Sequence, residues 1–154
     1  MAETGKSRLM GELVGAIKLF QDSVDRFDTA AAAHLRVNAT DLRCLTALYD
    51  HGPLLANEVA TALGLTRGAT TTALDRLQNA GYVKRRVNAT DGRSFRIELT
   101  KRGLDAVTAT WLPIREHGRT HLEQYRESDL KLLALFFLRS VDLHERCRTE
   151  LVSG

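Results

Sequence analysis

The stretch ANEVATALGLTRGATTTALDRLQNAGYV, residues 56–83, decides the fold. It reads as a short helix over Ala56–Leu63, a break at Gly64, and a second helix capped by Thr66 that runs to Asn79-Ala80-Gly81. Glycine supplies the left-handed residue that closes a helix, and a threonine hydroxyl satisfies the free N–H groups that open one. Two helices joined this tightly form a helix-turn-helix. Tyr82–Val87 and Phe95–Leu99 follow as two strands, with Asn88-Ala89-Thr90-Asp91-Gly92 between them. Asp-Gly is a strong local hairpin signal.

Charge is concentrated on the same segment. The 154 residues contain 22 Lys+Arg and 19 Asp+Glu, a net +3. Thr66–Arg102 holds nine basic and three acidic residues, a net +6, which leaves 13 basic and 16 acidic residues elsewhere, a net −3. A localised positive field beside a mildly acidic body is the footprint of a nucleic-acid binder.

The flanking sequence reads as helices. Residues 7–34 place Leu9, Leu13, Ala16/Ile17, Phe20, Val24, Phe27 and Ala31 on one stripe. A helix of that length spans about 40 Å, and a single subunit this small has difficulty covering it. A second helix is expected over Asp41–Asp50, capped by Thr40, with Leu42, Leu45 and Leu48/Tyr49 inward. Thr100 is expected to cap a fifth helix from Lys101 through Leu104, Val107, Trp111 and Ile114, with a bend at Pro113. Ser128 is expected to cap a sixth that reaches about Glu150, with an apolar surface wide enough for more than one neighbour. The expected fold class is mostly α with a small β-hairpin wing, an α+β arrangement of a winged helix-turn-helix lobe and a helical dimerisation lobe. The chain is taken as one domain, with residues 7–34 and 101–150 for dimerisation and 41–100 for DNA.

No apolar run exceeds the seven residues of Leu132–Leu138, far short of the roughly 18 of a membrane span. The N-terminus carries no apolar signal core, so the expected location is cytoplasmic. The two cysteines, Cys44 and Cys147, both lie in helical patterns and read as small buried or half-buried hydrophobes. The hexapeptide RVNATD occurs at 36–41 and again at 86–91. A single pair is no repeat architecture, and both copies read as cap and turn chemistry.

On the second helix of the motif, Ala69/Thr70, Ala73/Leu74 and Leu77 share the inner face. The opposite face presents Arg67, Gly68, Thr71, Thr72, Asp75 and, at its border, Arg76. Arginine donates two hydrogen bonds to guanine and threonine offers a hydroxyl and a methyl. Arg67, Gly68, Thr71, Thr72 and Arg76 are therefore the expected base-reading set, although Arg76 has Asp75 and Asp91 as alternative partners. Arg93 at the hairpin tip is the expected minor-groove residue, because a narrow groove concentrates negative potential. Lys84, Arg85 and Arg86 are expected on phosphates.

With those residues in view, the sequence resembles the MarR (multiple antibiotic resistance regulator) family of winged-helix regulators. The resemblance is carried by GPLLANEVATALGLTRGATTTALDRLQNAGYVKR at 52–85, DGRS at 91–94 and LTKRG at 99–103. It is good over about Asp41–Val107. It implies a homodimer built from the terminal helices, a palindromic double-stranded DNA operator, and repression relieved by a small ligand, often an aromatic acid. It also implies that Asp91 and Arg93 organise and insert the wing. The first helix lacks the cysteine of the family's oxidation-sensing members. His117 and His121 share a helix face at i, i+4, but two imidazoles are half a zinc site, so no metal and no cofactor is assigned. His34, Arg43 and Trp111 are the expected lining of an effector pocket for an aromatic carboxylate, with plain core packing as the second reading of Trp111.

Two other functions remain open from the sequence: a winged-helix protein-interaction module without specific DNA binding, and a metal-responsive regulator using His117/His121. No phosphate loop, nucleophile motif or catalytic constellation among the five histidines supports an enzyme.

Overall fold

In a computed structural model, which describes residues 5–87 and 94–153, the chain runs α1 (Gly5–Leu35), α2 (Ala39–His51), β1 (Leu54–Leu55), α3 (Ala56–Leu63), α4 (Arg67–Asn79), β2 (Val83–Val87), β3 (Phe95–Leu99), α5 (Lys101–Leu122) and α6 (Glu127–Ser153). Two compact units divide the chain, Met1–Thr110 and Trp111–Gly154. The expected helices and hairpin are all present, so the mostly α reading with a small β wing stands.

The first unit holds the core. Leu42, Leu45 and Leu48 of α2, Val59 of α3, and Ala73, Leu74 and Leu77 of α4 are buried together with Val83, Ile97 and Val107. The α4 residues among them are the predicted inner face, joined by the buried Thr70, whereas Ala69 is exposed. Thr70 is satisfied locally, its hydroxyl donating to the Thr66 carbonyl at 2.9 Å.

Local chemistry sets the boundaries. Gly64 closes α3 at φ +63°, a left-handed conformation that costs glycine nothing. Thr66 caps α4 by accepting from the Ala69 N–H at 3.2 Å. The cap of α2 differs from expectation: Asn38, not Thr40, holds extended backbone and accepts from the Asp41 N–H at 2.8 Å, and the helix starts at Ala39. Nor does Ser128 cap α6, which starts one residue earlier at Glu127, with Arg126 supplying the carbonyl for the N–H groups of Asp129 and Leu130. Thr100 does cap α5, accepting from the Gly103 N–H at 3.0 Å. The helix continues through Pro113.

Three antiparallel strands lie in the order β1-β3-β2. The hairpin pairs Val83 with Leu99, Arg85 with Ile97 and Val87 with Phe95. β1 was not expected, since two residues are too short to show any alternation. It pairs Leu54 with Ile97 and holds the start of α3 beside the wing.

The α1 stripe is present but largely uncovered: Leu9, Leu13, Phe20 and Val24 are exposed, and only Ala31, Ala32 and Leu35 near its end are buried. In the second unit, α6 has no buried residue among those described, and Leu133, Phe137 and Val141 stand exposed along it.

Cys44 is fully buried, and burial first, then the nearby Asp41 carboxylate, pushes its thiol up to about 11. Cys147 is exposed, contrary to the half-buried expectation. A thiolate is the reactive form, so a maleimide at pH 8 is expected to label Cys147 in the native protein and Cys44 only after unfolding. Labelling of native Cys44 at wild-type stability would contradict this. A thiol held neutral above its ordinary value contributes stability that is complete below about pH 9 and is lost as the pH rises towards 11.

Candidate nucleic-acid interface

Everything that α4 does not bury it presents to solvent. Arg67, Gly68, Thr71, Thr72 and Asp75 are all exposed, which gives the helix an outward face that begins at its N-terminus. Arg67 has no ion pair or hydrogen bond among the described residues. Gly68 has open space where a side chain would stand. The Thr72 hydroxyl donates back to the Gly68 carbonyl at 3.0 Å.

Arg76 has a partner within the fold. Its guanidinium holds the Asp41 carboxylate with two bonds, Nη2 to Oδ1 at 2.6 Å and Nε to Oδ2 at 3.0 Å. The Asp41 side chain is only 5% exposed and the Arg76 side chain 45%. Hydrogen bonding to that carboxylate raises the Arg76 pKa further. A paired fork of this kind is strong and directional. It braces α4 against the first turn of α2, and the partner is neither of the two acids considered from the sequence. Residues 35 positions apart share no periodicity, so no sequence signal linked them.

On the wing the three cations differ. Arg85 reaches back to Asp75 of α4 at 2.6 Å. Lys84 and Arg86 lie on the opposite face of the hairpin and flank Glu98, at 3.1 Å and 3.9 Å. Arg86 is paired across the ladder with Arg96, and like charges directly opposed weaken a sheet. Arg96 is steadied by donating to the Pro53 carbonyl at 2.9 Å and by Glu58 at 3.8 Å. Sequence reasoning gave Arg96 no partner, because Pro53 and Glu58 lie about 40 residues away. Asp91 and Arg93 lie outside the described residues.

The base of the wing is tied into the unit. The Tyr82 hydroxyl donates to the Leu35 carbonyl at 2.9 Å, the last residue of α1, and the Arg102 guanidinium stacks 4.9 Å over the Tyr82 ring. The Thr100 hydroxyl lies 2.7 Å from the Gly81 carbonyl.

The expected effector residues are divided between the two units. Arg43 is exposed and donates through Nη2 to the Leu63 carbonyl at 2.7 Å, at the negative end of α3. His34 is exposed and Trp111 half-buried, each in a different unit. His117 and His121 are exposed, and His121 stacks edge-on against Tyr125 at 5.6 Å. Among the described residues no cluster of three or more His, Cys, Asp or Glu is placed to hold a metal ion.

An exposed second helix, a tight left-handed turn before it and a basic hairpin after it define a winged helix-turn-helix protein. Residues 37–94 match the model of the MarR family. The HTH-type transcriptional regulator YcgE of Bacillus subtilis is 31% identical over 133 residues, covering 84% of this chain and 86% of that protein. RV1404 of Mycobacterium tuberculosis is similar in structure, with a TM-score of 0.64 at 26% identity over 90% of this chain and 96% of that one. A mutant of Staphylococcus aureus MepR bound to an oligodeoxyribonucleotide shares the fold, with a TM-score of 0.60 at 21% identity over 84% of this chain and 96% of that one. The chain belongs to the MarR family, and it is a transcriptional regulator, not an enzyme.

Proposed function

We propose that this regulator is a homodimeric, sequence-specific repressor that acts in the cytoplasm on a palindromic duplex operator and is released by a small ligand. The observation that carries the reading is the outward face of α4, where Arg67, one residue after the Thr66 cap, is exposed and has no ion pair or hydrogen bond among the described residues. In this arrangement Arg67, Gly68, Thr71 and Thr72 meet base edges in the major groove. Arg76, braced by Asp41, sets the angle of the helix. Lys84 and Arg86 reach phosphates, Arg85 holds the wing to α4, and Asp91 organises a wing whose Arg93 enters the minor groove. The DNA-bound MepR mutant, of the same fold, supports the class of partner.

A duplex reader of this kind neutralises several phosphates. Between 50 and 200 mM salt its affinity is expected to fall by about a thousandfold or more, as for six or more phosphate contacts. Gel shifts across that range test this, and a flat response would contradict it.

The uncovered stripes of α1 and α6 support the dimer. Exposed Leu13, Phe20, Leu133 and Phe137 make a lone subunit an unfavourable state in water. A twofold pair sets its two α4 helices for half-sites about one helical turn apart. Phe137→Asp is expected to move the sedimenting species from dimer to monomer. A wild-type protein that sediments as a monomer at micromolar concentration would remove the dimer from the account.

Release by a small aromatic acid rests on the family resemblance, with His34, Arg43 and Trp111 as the residues offered for its carboxylate and ring. Thermal-shift screening of aromatic acids tests it: an effector raises the melting temperature and abolishes the gel shift. A panel with no such compound would count against an aromatic inducer.

A further inference from the structure

Among its described residues, the wing carries an apolar pair that is left about half exposed. Phe95 and Val87 are cross-strand partners, 50% and 57% exposed, in a hairpin otherwise rich in charge. Alternation along the strands puts them on the same face as Arg85 and Ile97. That face is the one turned to α4, because Ile97 is buried in the core and Arg85 reaches Asp75. The pair therefore lies one register beyond the Arg85–Asp75 bridge, on the α4 side of the wing. Lys84 and Arg86 stand on the reverse face.

We infer that Phe95, with Val87 beside it, is a positioning residue that packs on the deoxyribose rings of the strand passing between α4 and the wing. The inference rests on α4 entering the major groove. A strand held there presents phosphates outward and sugar C–H groups along its edge. The cations of the wing attract the phosphates, and the sugars are the apolar surface that an uncharged aromatic ring complements. Such a contact removes apolar area from water, so it adds affinity without adding counterion release and without reading bases.

The test compares wild type, Phe95→Thr, Phe95→Leu and Arg86→Gln for binding to a selected operator and to a scrambled duplex, at several salt concentrations. Threonine keeps strand preference while removing the ring, and melting temperatures confirm that each variant folds. Phe95→Thr is expected to weaken both duplexes by about tenfold or more, with the slope against salt unchanged. Phe95→Leu restores most of the affinity. Arg86→Gln lowers the slope instead. Wild-type affinity in Phe95→Thr, a changed slope, or a changed base preference overturns the sugar contact while leaving the reading of α4 intact. A wild-type protein that binds no duplex overturns both.

Discussion

Gly103→Ala is expected to destabilise the protein by about 3 kcal/mol, an overpacking cost, and to lower its melting temperature by about 10 °C. A Cβ built on Gly103 would stand 2.1 Å from the Tyr82 carbonyl oxygen, 3.0 Å from its carbon and 3.3 Å from the Tyr82 Cα. All three atoms are backbone, so no side chain can swing away. The same carbonyl accepts from the Thr100 N–H at 2.9 Å, and the Thr100 hydroxyl caps the Gly103 N–H. Relief requires α5 to move away from the wing, and that movement breaks the bonds that start the helix. The sign makes the test sharp. In an open helix, alanine stabilises relative to glycine by about 1 kcal/mol. A Gly103→Ala protein as stable as wild type, or more so, would show that α5 does not approach the wing as described. The LTKRG motif, read at first only as a family likeness, thus has a steric basis: the last residue of that run must lack a side chain for the fifth helix to begin against the wing.

Arg67→Ala is expected to weaken binding to the selected operator by about 10- to 100-fold, the discrimination of one bidentate base contact, while the melting temperature stays within about 2 °C, as for an exposed surface change. Arg67 is exposed and unpaired among the described residues, so its removal leaves no buried group without a partner. Affinity for a scrambled duplex falls far less, because a base contact carries specificity and phosphate contacts carry the rest. Arg76→Ala supplies the contrast. It strands the buried Asp41 carboxylate and removes the polar tie between α4 and α2, so it is expected to lower stability and binding together. Should Arg67→Ala bind the operator like wild type, base reading by the start of α4 would be wrong. Should Arg76→Ala melt like wild type, the brace would carry no weight.

The parts of the fold that were legible in the sequence are those fixed by local chemistry. Gly64 accepts the left-handed conformation that other residues avoid, Thr66 satisfies the N–H three residues on, and alternation marks the strands of the hairpin. Thr40 was expected to cap α2, but Asn38 carries equivalent cap chemistry two residues earlier, and the backbone, extended at Asn38, makes it the cap. β1 was invisible because it is two residues long. The intramolecular partners of Arg76 and Arg43 were not legible for a different reason. Their partners, Asp41 and the Leu63 carbonyl, lie 35 and 20 residues away. A long arginine on a helix looks equally available to a base, a ligand or a neighbouring helix until tertiary packing brings one of them near. The exposed face of α4 was legible because the helix period separates it from Thr70, Ala73, Leu74 and Leu77, whatever the partner outside.

Selection of bound duplexes from a random-sequence pool, run in parallel with wild type and Arg67→Ala, bears most directly on the claim that paired α4 helices read one duplex. The account predicts a twofold-symmetric motif from the wild type, with half-site centres about one helical turn apart, and a loss of preference at one symmetric pair of positions with Arg67→Ala. Recovery of no motif, or of the same motif from both proteins, would contradict it.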